Sequence, residues 1–145
     1  MTDQQAEEQK ERLRLLADFW LKQLGLNYWL VNLEYFDDTG DFANAAGSTH
    51  SHPRFGVERI VARTFVSWEY MEATIQFCLL ECANFNDDEL ETMFVHECCH
   101  ILVNEMRYVT DCECENFNVR HEERVVTQLA KAFIWVRDAA KESAA

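Results

Sequence analysis

Proline and glycine are scarce in this chain: one proline and four glycines among 145 residues. That excludes an architecture built on tight turns or on Pro- and Gly-rich linkers, and leaves long regular elements. Basic residues are also few, 13 against 26 acidic ones, for a formal net charge of −13. An acidic surface repels phosphate, so nucleic acid and anionic membranes are poor partners. Solubility is the ordinary role of such a charge. No apolar run reaches transmembrane length. The opening MTDQQAEEQKERLRLL lacks the apolar stretch behind a basic start that marks a secretory signal, so a cytoplasmic location is expected. In that compartment Cys78, Cys82, Cys98, Cys99, Cys112 and Cys114 read as reduced thiols. Cys112 and Cys114 are one residue apart with no matching second pair, which argues against a cysteine zinc site.

What the chain does have is apolar material, 48% of its residues, enough for one core and a single domain over residues 1–145. Leu13, Leu16, Ala17, Trp20, Leu21 and Leu24 repeat at helical spacing, predicting a helix over residues 3–24 that Gly25 ends. Tyr28 to Phe36 alternates as a strand. Asp37 to Gly56 holds turn formers together with His50 and His52, and reads as a long loop. Val57 to Val66 and Ala73 to Leu80 are two further strands. Asn86 with Glu89 forms a capping-box variant that opens a helix from Asp87 to about Met106. After a loop through Cys112 and Cys114, a last helix covers about Phe117 to Ala140. The order α-β-β-β-α-α predicts an α+β domain.

The histidine helix carries the chemistry. It contains MFVHECCHILV, with His96 and His100 one turn apart and Glu97 beside them. Val95, Cys99, Leu102 and Met106 form one apolar stripe of this helix, and Leu90, Phe94 and Ile101 form another, so it is expected to be central. Three polar groups in such a place cost several kcal/mol unless they find partners. Two imidazoles at i and i+4 reach one Zn²⁺ ion, and the glutamate between them stands beside the metal as a general base. Cys99 lies on the apolar stripe and Cys98 on another side; both are expected to pack as small hydrophobes.

A catalytic zinc site needs a third protein ligand. On the last helix, Val126, Leu129, Ala130 and Phe133 mark the buried face, and Glu122 and Glu123 lie one turn before Val126. Glu122 is nearer the middle of that face; Glu123 is at its edge, where a cleft between two helices would lie. Helical spacing leaves both open. His121 points away.

With these pieces the sequence resembles the gluzincin metallopeptidases: His96-Glu97-Cys98-Cys99-His100, followed by a glutamate on the next helix. More narrowly, it resembles small metallopeptidase-like proteins encoded by bacteriophages and prophages, in LGLNYWLVNLEY, MEATIQFCL and EERVVTQLA. The resemblance implies a minimal zincin-like fold. That fold is a small, mostly antiparallel three-stranded sheet packed with about three helices. It also implies zinc held by His96, His100 and a glutamate. The family pattern sets that glutamate before a Val-Val pair, favouring Glu123 with Glu122 as the alternative. Glu97 is then the catalytic base, the substrate a peptide or protein, and the setting a bacterial host cell. Many members have aliphatic residues where Cys98 and Cys99 stand.

The leading expectation is zinc-dependent peptide hydrolysis. Ala73–Leu80 is expected to be an edge strand that pairs with extended substrate. Tyr108, His121 and His50 are candidate oxyanion donors. The rival is a catalytically silent metal-binding or protein-interaction domain, with the open metal position blocked by the 37–56 loop. A third reading is a protease acting on DNA-bound targets, disfavoured by the −13 charge and the missing cysteine pairs.

Overall fold

Leu13, Ala17 and Trp20 are buried along one side of the first helix, α1 (Asp3–Gln23). The structure is a computed structural model that describes residues 1–45, 61–109 and 115–144. A capping box starts α1: the Thr2 hydroxyl accepts from Gln5 N at 3.3 Å, and the Gln5 carboxamide accepts from Thr2 N at 2.9 Å. Gly25 ends it with φ +69°, a left-handed conformation that glycine adopts without steric cost.

A 3-10 turn (Leu26–Tyr28) leads into β1 (Leu30–Phe36). The chain then forms a helix where a loop was expected. In α2 (Thr39–Ala45), Asp38 Oδ1 caps the start by accepting from Gly40 N and Asp41 N, at 2.7 and 2.9 Å. Phe42 supplies the reason for the helix: it is buried, packs edge-on against Phe36 and lies under the Arg63 guanidinium. The rest of the 37–56 loop, with His50 and His52, lies outside the described residues, as does most of the first half of the Val57–Val66 strand.

β2 (Ala62–Ser67) turns through Trp68–Tyr70 into β3 (Glu72–Cys78), and α3 (Leu79–Cys82) follows. The sheet order is β1-β3-β2. β2 and β3 are antiparallel, but β1 and β3 run parallel, so the sheet is mixed rather than mostly antiparallel. The position of β3 also overturns the expectation for Ala73–Leu80. It is the central strand, and Leu79 and Leu80 already belong to α3. The cause is composition. Ile75, Gln76, Phe77 and Cys78 are all buried, so consecutive residues on both faces of β3 are covered. A strand covered on both faces belongs inside a sheet, and the polar Gln76 is satisfied there by Arg63 and Glu34. β1 alternates exposed and half-buried residues, and among the described residues it takes one edge of the sheet and β2 the other.

Two long helices complete the fold, α4 (Asp87–Val109) and α5 (Glu115–Ala144). Both exceed their expected ends by a few residues. Among the described residues there are thus five helices and three strands, in the order α-β-α-β-β-α-α-α. Asn86 and Glu89 cap α4 reciprocally, at 2.9 and 3.0 Å. α4 lies against the sheet, and Phe94 stacks on Phe77 with ring centroids 6.0 Å apart. Glu91 joins three helices by accepting from Trp20 Nε1 at 2.8 Å and from Arg137. Leu90, Phe94, Val95, Cys98, Cys99 and Ile101 are all in the core, which makes α4 central. Leu102 departs from its stripe and is 39% exposed. No helix among the described residues is long and apolar enough to cross a membrane.

Candidate metal centre

The i, i+4 spacing on α4 turns His96 and His100 to the same side, with their rings 4.9 Å apart and 76° between planes. Their Nε2 atoms face each other at 3.2 Å. Glu123, from α5, spans the pair: Oε2 is 3.4 Å from His96 Nε2 and Oε1 is 3.4 Å from His100 Nε2. α5 runs beside α4 because Val126 and Ala130 are buried in the shared core. That packing brings the turn before Val126 against the histidines.

Glu122 does something different. Its Oε1 lies 2.8 Å from His100 Nδ1, the ring nitrogen away from the cluster. The outer nitrogen of His96 has Thr127 Oγ1 at 3.5 Å. So one short stretch of α5 provides a carboxylate for both inner nitrogens and a partner for each outer one.

Glu97 is only 7% exposed. Thr64, on β2, donates its hydroxyl to Glu97 Oε2 at 2.6 Å. Burial raises the Glu97 pKa above the usual carboxylate range, against the pull of His100, the Thr64 hydrogen bond and His96. Burial alone would lower the His100 pKa; hydrogen bonds to Glu122 and Glu123 and the Glu97 charge outweigh it and carry it to about 9. Hydrogen bonds from His100 and His96 hold Glu123 well below the usual carboxylate range.

His96, Glu97 and His100 each place a potential ligand atom within 4.8 Å of the others. Glu97 and Glu123 therefore both stand near the two rings, but they are not equivalent. Glu97 has one oxygen taken by Thr64, whereas both Glu123 oxygens face ring nitrogens. Donors at about 2.0–2.1 Å around a tetrahedral ion are separated by about 3.3–3.4 Å. The three contacts among His96, His100 and Glu123, at 3.2, 3.4 and 3.4 Å, match that spacing, so the donor set fits a metal ion.

Comparison with protein-family models, with curated proteins and with solved structures finds no match for this chain.

Four residues singled out in the sequence, His96, Glu97, His100 and Glu123, thus meet at one point, with Glu122 directly behind His100. His121 is exposed and lies outside this group. Cys98 and Cys99 are fully buried, free thiols in the core, and burial pushes the Cys99 pKa up to about 12. Cys112, Cys114 and His50 lie outside the described residues, as does the Tyr108 side chain. Sequence reading missed Thr64 and Thr127. Each had a faint signal: Thr64 shares a strand face with Ala62 and Val66, and Thr127 is one turn beyond Glu123.

Proposed function

We propose that this chain is a zinc-dependent peptidase of the gluzincin type. His96, His100 and Glu123 are the metal ligands, and Glu97 is the general base. The observation that carries this reading is the triangle of two Nε2 atoms and one carboxylate at 3.2–3.4 Å, with the buried Glu97 beside it. Zinc at such a site supplies a Lewis acid that makes water acidic and polarises a carbonyl.

The chain's own residues do the rest. Glu122 holds His100 by its Nδ1 atom and fixes which ring nitrogen faces inward. Oε2 of Glu97 is engaged by Thr64, which leaves Oε1 to take a proton from water and hand it to the leaving amine. The upward shift that burial gives the Glu97 pKa suits a group that must both accept and release a proton. β2 borders the site through Thr64 and has only β3 as a strand neighbour among the described residues. It is the edge on which an extended peptide would pair.

The test combines metal content and cleavage. Glu97→Gln is expected to keep zinc and lose hydrolysis of a denatured protein substrate; His96→Ala is expected to lose both. Undiminished cleavage by Glu97→Gln would rule the mechanism out. A second reading, a catalytically silent metal domain, draws on the nearness of the Glu97 carboxylate to both histidines. Four protein ligands would close the site. That reading requires Glu97→Gln to weaken zinc binding as strongly as Glu123→Gln does.

A further inference from the structure

Glu97 is the most enclosed carboxylate of the site, and its hydrogen-bond partner comes from the sheet rather than from either long helix. Thr64 sits on β2 opposite Ile75 of β3, on the sheet face turned towards the helices. Its Oγ1 is 2.6 Å from Glu97 Oε2 and 3.3 Å from the Glu97 main-chain oxygen. A hydroxyl has a single hydrogen to donate. Both neighbours are acceptors, so the hydrogen goes to the nearer and charged one. Hydrogen bonds to an ionised acceptor are short and strong, and 2.6 Å lies in that range.

A carboxylate can rotate about its last bond, and its two oxygens are chemically alike until something distinguishes them. Here a group on another element does so. We propose that Thr64 is the positioning residue for Glu97, and that its hydroxyl fixes the carboxylate so that Oε1 is presented to the metal-binding atoms. This rests on the reading of Glu97 as the base beside a metal. Among the described residues β2 lies at a sheet edge, and the same hydroxyl ties that edge to α4. A peptide paired on β2 and the base that serves it are then held in one frame by a single side chain.

Valine has the shape of threonine without the donor, and serine keeps the donor. The full chain is loaded with cobalt(II), and its affinity for acetohydroxamate is read from the visible absorption. Acetohydroxamate binds a metal through two oxygens and donates a hydrogen bond to a neighbouring carboxylate. Zinc per chain is measured in parallel for each variant. Thr64→Val is expected to keep its zinc and to weaken acetohydroxamate roughly tenfold or more, the scale of a lost hydrogen bond to a charged group. Thr64→Ser is expected to restore binding, and Thr64→Val is expected to add nothing in a Glu97→Gln background. If Thr64→Val does not fold, Thr64→Ala takes its place.

Wild-type affinity in Thr64→Val, together with a loss in Glu97→Gln, overturns the proposal and leaves the role of Glu97 standing. Equal losses in Thr64→Ser and Thr64→Val also overturn it, since the hydroxyl would not be the cause. Wild-type affinity in Glu97→Gln removes the reading on which the proposal rests.

Discussion

Glu122 and Glu123 are chemically identical neighbours, and the fold gives them different tasks. Glu123 faces the inner nitrogens of both histidines; Glu122 meets the outer nitrogen of His100. The two substitutions should therefore separate by degree. Glu123→Gln removes a ligand, and zinc affinity should fall by several orders of magnitude. Glu122→Gln loosens the partner of a ligand, and affinity should fall about 10–100-fold. Competition with a chromophoric chelator measures both, and the reverse order would exchange the two roles. The sequence could not make this choice. A helical phase places two adjacent residues on neighbouring parts of one face, and which of them faces the inner nitrogens depends on how α5 packs on α4.

The elements were legible to the degree that their causes are local. α1 follows from its apolar spacing and Gly25. α4 follows from the Asn86 and Glu89 cap and from apolar residues around most of its surface. α2 was missed, although Asp38 is a good cap, because its stability comes from burying Phe42 against Phe36 and Arg63, and Arg63 is distant in sequence. The same contrast predicts how α4 responds to substitution. Asn86→Ala removes only the cap and should cost about 1 kcal/mol. Phe94→Ala empties the contact with Phe77 that holds α4 to β3, and should cost about 3–5 kcal/mol. Denaturant midpoints at constant m-value would measure both, and equal costs would mean that α4 owes little to the sheet.

For the whole molecule, the metal-binding cluster should set a pH window of stability when metal is removed. The His100 pKa rises from 6.5 to about 9 on folding. Its contribution is full below 6.5 and is lost as pH rises through about 9. The Glu123 pKa falls from 4.5, so its contribution is full above 4.5 and is lost as acid protonates the folded carboxylate. The metal-free chain should be most stable between these limits, near pH 5–6. Thermal unfolding across pH measures this. In Glu123→Gln both flanks should flatten, and an unchanged profile would show that these groups do not govern the stability.

The histidine pair, the glutamate between them, the helix that carries them and the apolar faces that bury it can all be read from the order of residues. Each of these depends on residues within a turn or two of one another. The central place of β3, its parallel pairing with β1, the split between Glu122 and Glu123, and the contact of Thr64 with Glu97 emerge from the folded chain alone. Those features join segments far apart in the chain. Their geometry is fixed by how a strand covered on both faces and two long helices share one core, and no local pattern of residues records that.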